Sequence, residues 1–105
     1  MTRRSRRYRI EYAREAVSHL DRMEARRAAI VLDTVPRQLE HEPRTTTRNR
    51  KLLRANSIAP WELRIGDIRV YFDVADEPEP IVTIRAIGIK VREKVVIGGE
   101  EVDLQ

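Results

Sequence analysis

The residues best suited to chemistry lie in one short segment, WELRIGDIRVYFDV at positions 61–74. Metal-free cleavage of RNA needs a base for the 2′-hydroxyl, cations for the phosphorane and an acid for the leaving oxygen. Glu62 is the candidate base, with a lysine of lowered pKa as an alternative, and Arg64 and Arg69 are candidate phosphate ligands because a guanidinium matches two oxygens. Tyr71 could stack on a nucleobase or donate a proton. The same residues would also suit the plain solvated face of a strand.

A two-residue turn at Gly66-Asp67 would place these side chains together. Apolar and polar residues alternate on both sides of this pair, which is typical of a β-hairpin with a type II′ turn. The register then sets Arg64 opposite Arg69 and Glu62 opposite Tyr71. Two arginines facing each other weaken the pairing slightly, a cost that is easier to accept where an anion binds. The other face carries Trp61, Leu63, Ile65, Ile68, Val70 and Phe72.

Further cations are predicted to join this polar face. In a third strand, Ile81–Ile87, core-facing Val82, Ile84 and Ala86 would put Arg85 beside the arginines of the hairpin. Lys90, Arg92 and Lys94 follow near the edge of that face. The basic segment 44–54 has no acidic residue and supplies three further candidate substrate-binding residues, Arg50, Lys51 and Arg54.

Composition indicates one highly charged folded domain over residues 1–105, with 41% hydrophobic and 36% charged residues. The net charge is +4, but arginines cluster at 3–9 and 44–54 and acids at 73–79 and 100–103. Clustered arginine suits a polyanionic partner, although a solvated surface explains it equally well. The absence of cysteine and of a membrane-spanning run favours a cytoplasmic protein. His19 and His41 are far apart, and we expect no metal or cofactor.

The surrounding pattern predicts an α+β fold. A basic arm (1–6) precedes a strand at 8–12, and two helices follow, the second starting near Glu24 with Leu32, Val35 and Leu39 facing the core. Pro36 should kink or break this second helix. Strands fill the rest, ending in a hairpin around Gly98-Gly99 within a C-terminal tail (98–105). We therefore expect an N-terminal strand and a helical hairpin packed on one face of a small antiparallel β-sheet.

Three segments resemble a known family. TRNRKLL at 47–53, WELRIGDIRVYFDV at 61–74 and IRAIGIKVREKVVIGGEE at 84–101 are similar to the RelE/ParE superfamily of bacterial toxin–antitoxin toxins, a resemblance that covers roughly residues 7–101. It implies the fold described above. It also implies one of two activities: RelE-like members cleave mRNA in the ribosomal A site, whereas ParE-like members inhibit DNA gyrase. Both kinds are neutralised by a small antitoxin protein, so the implied partners are an antitoxin and either the ribosome with mRNA or gyrase.

The resemblance also implies roles for individual residues. Arg69 matches the arginine that contacts the scissile phosphate, Arg64 a basic residue before the turn, and Lys90 or Arg92 the basic residue after the glycine. Glu62 stands where ribosome-dependent members place a lysine, and no tyrosine matches their C-terminal one. Ribosome-dependent mRNA cleavage is the leading hypothesis. The alternatives are a gyrase inhibitor and a non-catalytic nucleic-acid-binding module of the same fold.

Overall fold

A computed structural model describes residues 6–103, which form two helices and one seven-stranded sheet. Of the predicted basic arm, only Arg6 lies within these residues, and the last two residues of the tail lie outside them. The elements in chain order are β1 (Arg9–Tyr12), α1 (Arg14–Arg22), α2 (Ala25–Leu39), β2 (Arg50–Leu52), β3 (Trp61–Ile65), β4 (Ile68–Ala75), β5 (Ile81–Val91), β6 (Lys94–Ile97) and β7 (Glu100–Val102). Neither helix in this part of the chain is long and apolar enough to cross a membrane.

The sheet is an antiparallel meander to which the N-terminal strand is added in parallel. Strands β2 to β7 lie side by side in chain order. β1 pairs in parallel with residues 81–84 of β5, and β6 pairs with residues 88–91 along the same edge. The predicted α+β class and the antiparallel sheet are confirmed. The parallel position of β1 was not predicted, because strand alternation carries no information about direction.

The hairpin of β3 and β4 has the predicted register. Arg64 lies opposite Arg69, and Glu62 lies opposite Tyr71. Gly66 has a φ of +60°, as the first loop residue of a type II′ turn requires. Every side chain of the hairpin therefore lies on the face that the alternation predicted.

One face of the sheet packs against both helices and forms the main hydrophobic core. Phe72 is fully buried and stacks on Trp61, with ring centroids 6.0 Å apart. From α2, the residues Val31, Val35 and Leu39 are fully buried against this face. The remaining buried members are Tyr8, Ala16, Leu63, Ile68, Val70, Val82, Ile84 and Ile87.

The helices differ from the prediction in their placement. α1 lies closest to β5, and few of its residues come near α2, so the two do not form the tightly packed helical hairpin that we expected. The predicted core residues Val35 and Leu39 of α2 are confirmed, but Val31 is buried where Leu32 was predicted, and Leu32 is half exposed. Pro36 does not break the helix. Val35 and Leu39, which flank the proline, are both fully buried, and their packing holds the last turn in place.

A β-bulge in β5 changes which of its residues face the helices. Tyr71 pairs with Ala86 while its neighbour Phe72 pairs with Ile84, so Arg85 is the extra residue. Beyond the bulge the alternation is reversed. Ala86 therefore faces away from the helices, in contrast to the prediction, and Ile87 takes the place in the main core.

A second, smaller hydrophobic cluster covers part of the opposite face. Tyr71, Ala86, Ala59 and Ile97 are buried there. Segment 53–60 and the β6–β7 hairpin fold over this face and supply Leu53, Ile58, Val95 and Val102. Gly88 allows the approach of β6, because a Cβ at this position would lie 2.7 Å from Cγ1 of Ile97 and 2.8 Å from the carbonyl oxygen of Val96. The predicted C-terminal hairpin is confirmed.

Candidate functional site

A charged cleft of about 640 Å³ lies on the sheet face opposite the helices. Residues from β2 through β7 line it, so nearly the whole meander contributes to its walls. Its lining comprises Lys51, Leu53, Glu62, Arg64, Arg69, Tyr71, Lys90, Glu93, Lys94, Val95, Glu101, Val102 and Asp103.

Strand register arranges the floor of the cleft in two rows. In the first, Lys51 of β2 lies opposite Glu62 of β3, which lies opposite Tyr71 of β4. In the second, Arg64 lies opposite Arg69. The strand that carries Glu62 thus has no lysine there, but the neighbouring strand places one directly beside it. The sequence predicted both residues individually and did not predict their pairing, because the β2–β3 register depends on the intervening loop.

Arg69 is held in place at the turn of the hairpin. Its side chain is only 6% exposed, and Nη1 donates to the carbonyl oxygens of Gly66 at 2.7 Å and Ile68 at 3.1 Å. Nε and Nη2 make no hydrogen bond with residues 6–103. Neither nitrogen is sealed from solvent, so both can donate to an acceptor that enters the cleft. Arg69 is therefore pre-positioned to bind an anion.

Glu62 is the other buried charge of the cleft. Its residue is 5% exposed, and its Oε1 accepts a hydrogen bond from Nε of Arg64 at 3.0 Å. A buried carboxylate needs such a partner. The ion pair orients Glu62 and at the same time uses part of the charge that Arg64 could offer to a phosphate.

Tyr71 lies beneath the cleft as a neutral phenol. The residue is fully buried, and its hydroxyl has no hydrogen-bond partner of ordinary geometry within residues 6–103, although the Glu62 carboxylate is close enough to act on it as an acceptor. Burial and then the nearby Glu62 carboxylate raise the pKa of Tyr71 far above its usual value of 10.0. The buried ring leaves no face on which a nucleobase could stack.

The cleft is less basic than the sequence indicated. Five cations line it (Lys51, Arg64, Arg69, Lys90 and Lys94), and four carboxylates offset them (Glu62, Glu93, Glu101 and Asp103), for a formal net charge of +1. Lys94 already forms an ion pair with Glu101 at 3.0 Å. Lys51 and Lys90 form no ion pair with residues 6–103. The acidic wall was missed because it depends on the C-terminal hairpin folding back over the sheet.

Arg50 lies on the helix side of the sheet and does not face the cleft, although it was a candidate substrate ligand. Its Nη1 donates to the carbonyl oxygens of Glu42 at 2.9 Å and Thr45 at 3.0 Å, and its Nη2 donates to that of Gln38. These acceptors lie at and just beyond the C-terminal end of α2, where a cation satisfies unpaired carbonyls. Burial lowers the pKa of Arg50 from its usual value. Arg50 therefore has a structural role.

Three other predicted site residues also lie away from the cleft lining. Arg85 is the bulge residue of β5 and forms an exposed ion pair with Asp73 at 3.2 Å. Arg92 lies in the exposed turn between β5 and β6 with a φ of +58°. Arg54 is exposed in segment 53–60, outside the lining of the cleft. The β-bulge directs Arg85 away from the cleft, and the β5–β6 turn does the same for Arg92. The alternation of apolar and polar residues reveals neither feature.

His19 fills a gap along the edge of β5, in a separate groove between α1 and the C-terminal hairpin. β1 pairs with β5 up to Ile84 and β6 pairs from Gly88 onward. Between them, the backbone N–H of Ile87 donates to Nδ1 of His19 at 3.2 Å. Burial and then the charge of Arg22 lower the pKa of His19 below 6.5. No group of three histidines or carboxylates within residues 6–103 is arranged to hold a metal ion.

Comparisons of the chain with models of known protein families, with curated proteins and with solved structures find no match. The resemblance to the RelE/ParE superfamily stays a prediction from three sequence segments. Any function assigned to the chain therefore depends on that resemblance and on the geometry of the cleft.

Proposed function

We propose that the chain is a RelE/ParE-type toxin that cleaves mRNA on the ribosome, with the scissile phosphate bound at Arg69. The observation that carries the proposal is the pre-positioned guanidinium of Arg69, which is buried in the cleft and tied to two turn carbonyls. Arg64 lies directly opposite it and provides a second positive charge. A fixed cation stabilises developing phosphorane charge without reorganisation, which is the largest contribution that such a site can make.

The cleft also contains groups for the proton transfers. Glu62 would take the proton of the 2′-hydroxyl as this oxygen attacks phosphorus and the bond to the 5′-oxygen breaks. The departing 5′-oxygen would receive its proton from Lys51 or Lys90, the cleft ammonium groups without an ion pair among residues 6–103. The products are a 2′,3′-cyclic phosphate and a 5′-hydroxyl. Tyr71 is too enclosed to deliver this proton.

The proposal includes the partners of a type II toxin. The ribosome with its mRNA is the target in the cytoplasm, and a small antitoxin protein neutralises the toxin. A cleft with a small net positive charge suits an antitoxin segment of mixed or acidic character. Co-expression with a short neighbouring reading frame would test this pairing through rescue of growth.

Induced expression in bacteria, with mapping of mRNA ends, tests the nuclease. We expect wild type to arrest growth and to create new mRNA ends within translated codons. Arg69→Gln should abolish both effects, whereas Arg85→Gln, which removes the same charge outside the cleft lining, should leave both intact. Thermal unfolding of the purified variants controls for folding. Growth arrest with intact transcripts would count against cleavage.

A second candidate function is inhibition of DNA gyrase by the same fold. The observation that favours it is that two candidate catalytic groups are not free to act on RNA. Glu62 is paired with Arg64, and the hydroxyl of Tyr71 is buried away from solvent. A surface that binds a protein without chemistry tolerates both features. Supercoiling by purified gyrase should then fall as the protein is added, with mRNA unaffected. Unchanged supercoiling at a large excess of the protein would remove this candidate.

A further inference from the structure

We propose that Glu101 masks a phosphate-binding position at Lys94, so that the cleft is partly occupied by an acidic strand of the chain itself. Nζ of Lys94 lies 3.0 Å from Oε2 of Glu101, the distance at which it would hold a phosphate oxygen. The inference depends on the proposed function in one respect, that a polyanionic RNA enters the cleft. It adds that RNA must displace this carboxylate to contact Lys94.

The ion pair is suited to displacement. Its two side chains are 67% and 63% exposed, and exposed pairs of this kind contribute only about 0–1 kcal/mol. A phosphodiester can therefore replace the carboxylate at small cost. By contrast, the pair between Glu62 and Arg64 has a carboxylate that is only 7% exposed, and the same exchange there would strand a buried charge.

The position of β7 explains how a carboxylate comes to lie in a cationic cleft. β7 is the outermost strand of the sheet beyond β6 and has only three residues. Its side chains alternate, so Glu101 lines the cleft while Glu100 lines the separate groove beside His19. Two adjacent residues of equal charge thus lie on opposite sides of one strand, which gives a matched pair for an experiment.

Removal of the masking carboxylate should make the cleft a better RNA site. Glu101→Gln changes the formal charge of the lining from +1 to +2 and frees Lys94. One further phosphate contact should then form. This contact benefits a strand with several phosphates, because Arg69 already provides the first anion position.

Binding of a short, dye-labelled single-stranded RNA, measured by fluorescence anisotropy at several salt concentrations, tests the inference. Glu101→Gln should tighten binding about two- to fivefold and steepen the salt dependence by up to about 0.7 in the log–log slope. Glu100→Gln should change neither quantity. Lys94→Gln should have little effect in wild type, where Lys94 is masked, and should cancel the gain when combined with Glu101→Gln.

The possible results separate the two proposals. If wild type binds RNA and Glu101→Gln does not change the affinity, the masking is overturned and the proposed function stands. Equal tightening by Glu100→Gln and Glu101→Gln also overturns it, because the effect is then one of total charge. Absence of RNA binding by wild type and by Glu101→Gln overturns both proposals. Circular dichroism spectra of all variants verify that they fold.

Discussion

On the helix side of the sheet, Val70 and Phe72 are fully buried in a continuous apolar core. On the cleft side, their neighbours Arg69 and Tyr71 are buried where a smaller apolar cluster meets the charged groups of the cleft. Alternate residues of one strand thus enter two different environments. The helix side has the apolar arrangement of a packed domain, apart from Arg50, whose Nε is buried without a hydrogen-bond partner among residues 6–103. The cleft side keeps the guanidinium of Arg69, with two nitrogens free to donate into the cleft, and a phenol without a hydrogen-bond partner among residues 6–103.

The difference indicates that the residues of the cleft face serve ligand binding as well as folding. Apolar burial on the helix side stabilises the fold at every residue. The buried polar groups of the cleft cost stability unless a ligand or a water satisfies them. Removal of the Phe72 ring and removal of the Tyr71 hydroxyl should therefore have opposite effects on the free energy of unfolding.

The largest expected effect is at Phe72 on the helix side. Phe72→Ala should lower the free energy of unfolding by about 3–5 kcal/mol, because it removes a fully buried ring and its stacking on Trp61. Urea denaturation followed by circular dichroism measures this change. A loss below about 1 kcal/mol would mean that the core tolerates a cavity here and that the two faces differ less than their burial indicates.

The next largest change in stability is expected at Arg50, in contrast to its sequence neighbour Lys51 in the cleft. Arg50→Ala should cost about 2–3 kcal/mol of stability, because three carbonyl groups at and beyond the end of α2 lose a charged donor. Lys51→Ala is the matched control. It should change stability by less than about 0.5 kcal/mol while weakening RNA binding. Weaker RNA binding by a stably folded Arg50 variant would contradict its structural role.

At Tyr71 the expected change has the opposite sign. Tyr71→Phe should raise the free energy of unfolding by about 1 kcal/mol, because it removes a buried hydroxyl that has no hydrogen-bond partner within residues 6–103. Chemical denaturation of wild type and variant at one pH measures this difference. Destabilisation would show that the hydroxyl is bonded in solution, with the Glu62 carboxylate, which raises the pKa of Tyr71, as the expected acceptor.

The smallest effect is the pH dependence contributed by His19. Its pKa is lower in the folded protein than the ordinary 6.5, so the unfolded chain binds more protons as the pH falls below that value. The contribution of His19 is therefore complete above about pH 6.5 and is lost as the pH falls towards the folded pKa. His19→Asn keeps an acceptor for the N–H of Ile87 without titrating, and it should flatten the stability profile between about pH 7.5 and pH 5.5. Parallel profiles for the two proteins would contradict this assignment.

Local patterns were sufficient to predict the hairpin and its polar face. Alternation and the Gly66-Asp67 pair determine which residues lie opposite each other, so the facing of Arg64 and Arg69 could be predicted. The helix count could be predicted as well. The burial of Val31 instead of Leu32 in α2 could not, because both residues are apolar and only the sheet determines which one is buried.

Non-local features account for the differences at the site. The bulge at Arg85 depends on the pairing of β4 with β5, and a single strand sequence does not reveal it. Arg50 follows the same basic pattern as Lys51, yet the end of α2 supplies its acceptors. The acidic wall of the cleft comes from the β6–β7 hairpin, which is distant in sequence. The sequence therefore predicted a basic face, whereas the charges that line the cleft are nearly balanced.

The parallel pairing of β1 with β5 has a consequence for synthesis of the chain. Within residues 6–103, the only strand partner of Arg9–Tyr12 is Ile81–Ile84, which follows much later in the sequence. Tyr8 likewise donates its hydroxyl hydrogen to Asp76. Among residues 6–103, β1 therefore has no native strand neighbour until β5 has been made, and the α1–β5 layer cannot close before then. Folding of this domain is delayed by its topology until β5 has left the ribosome.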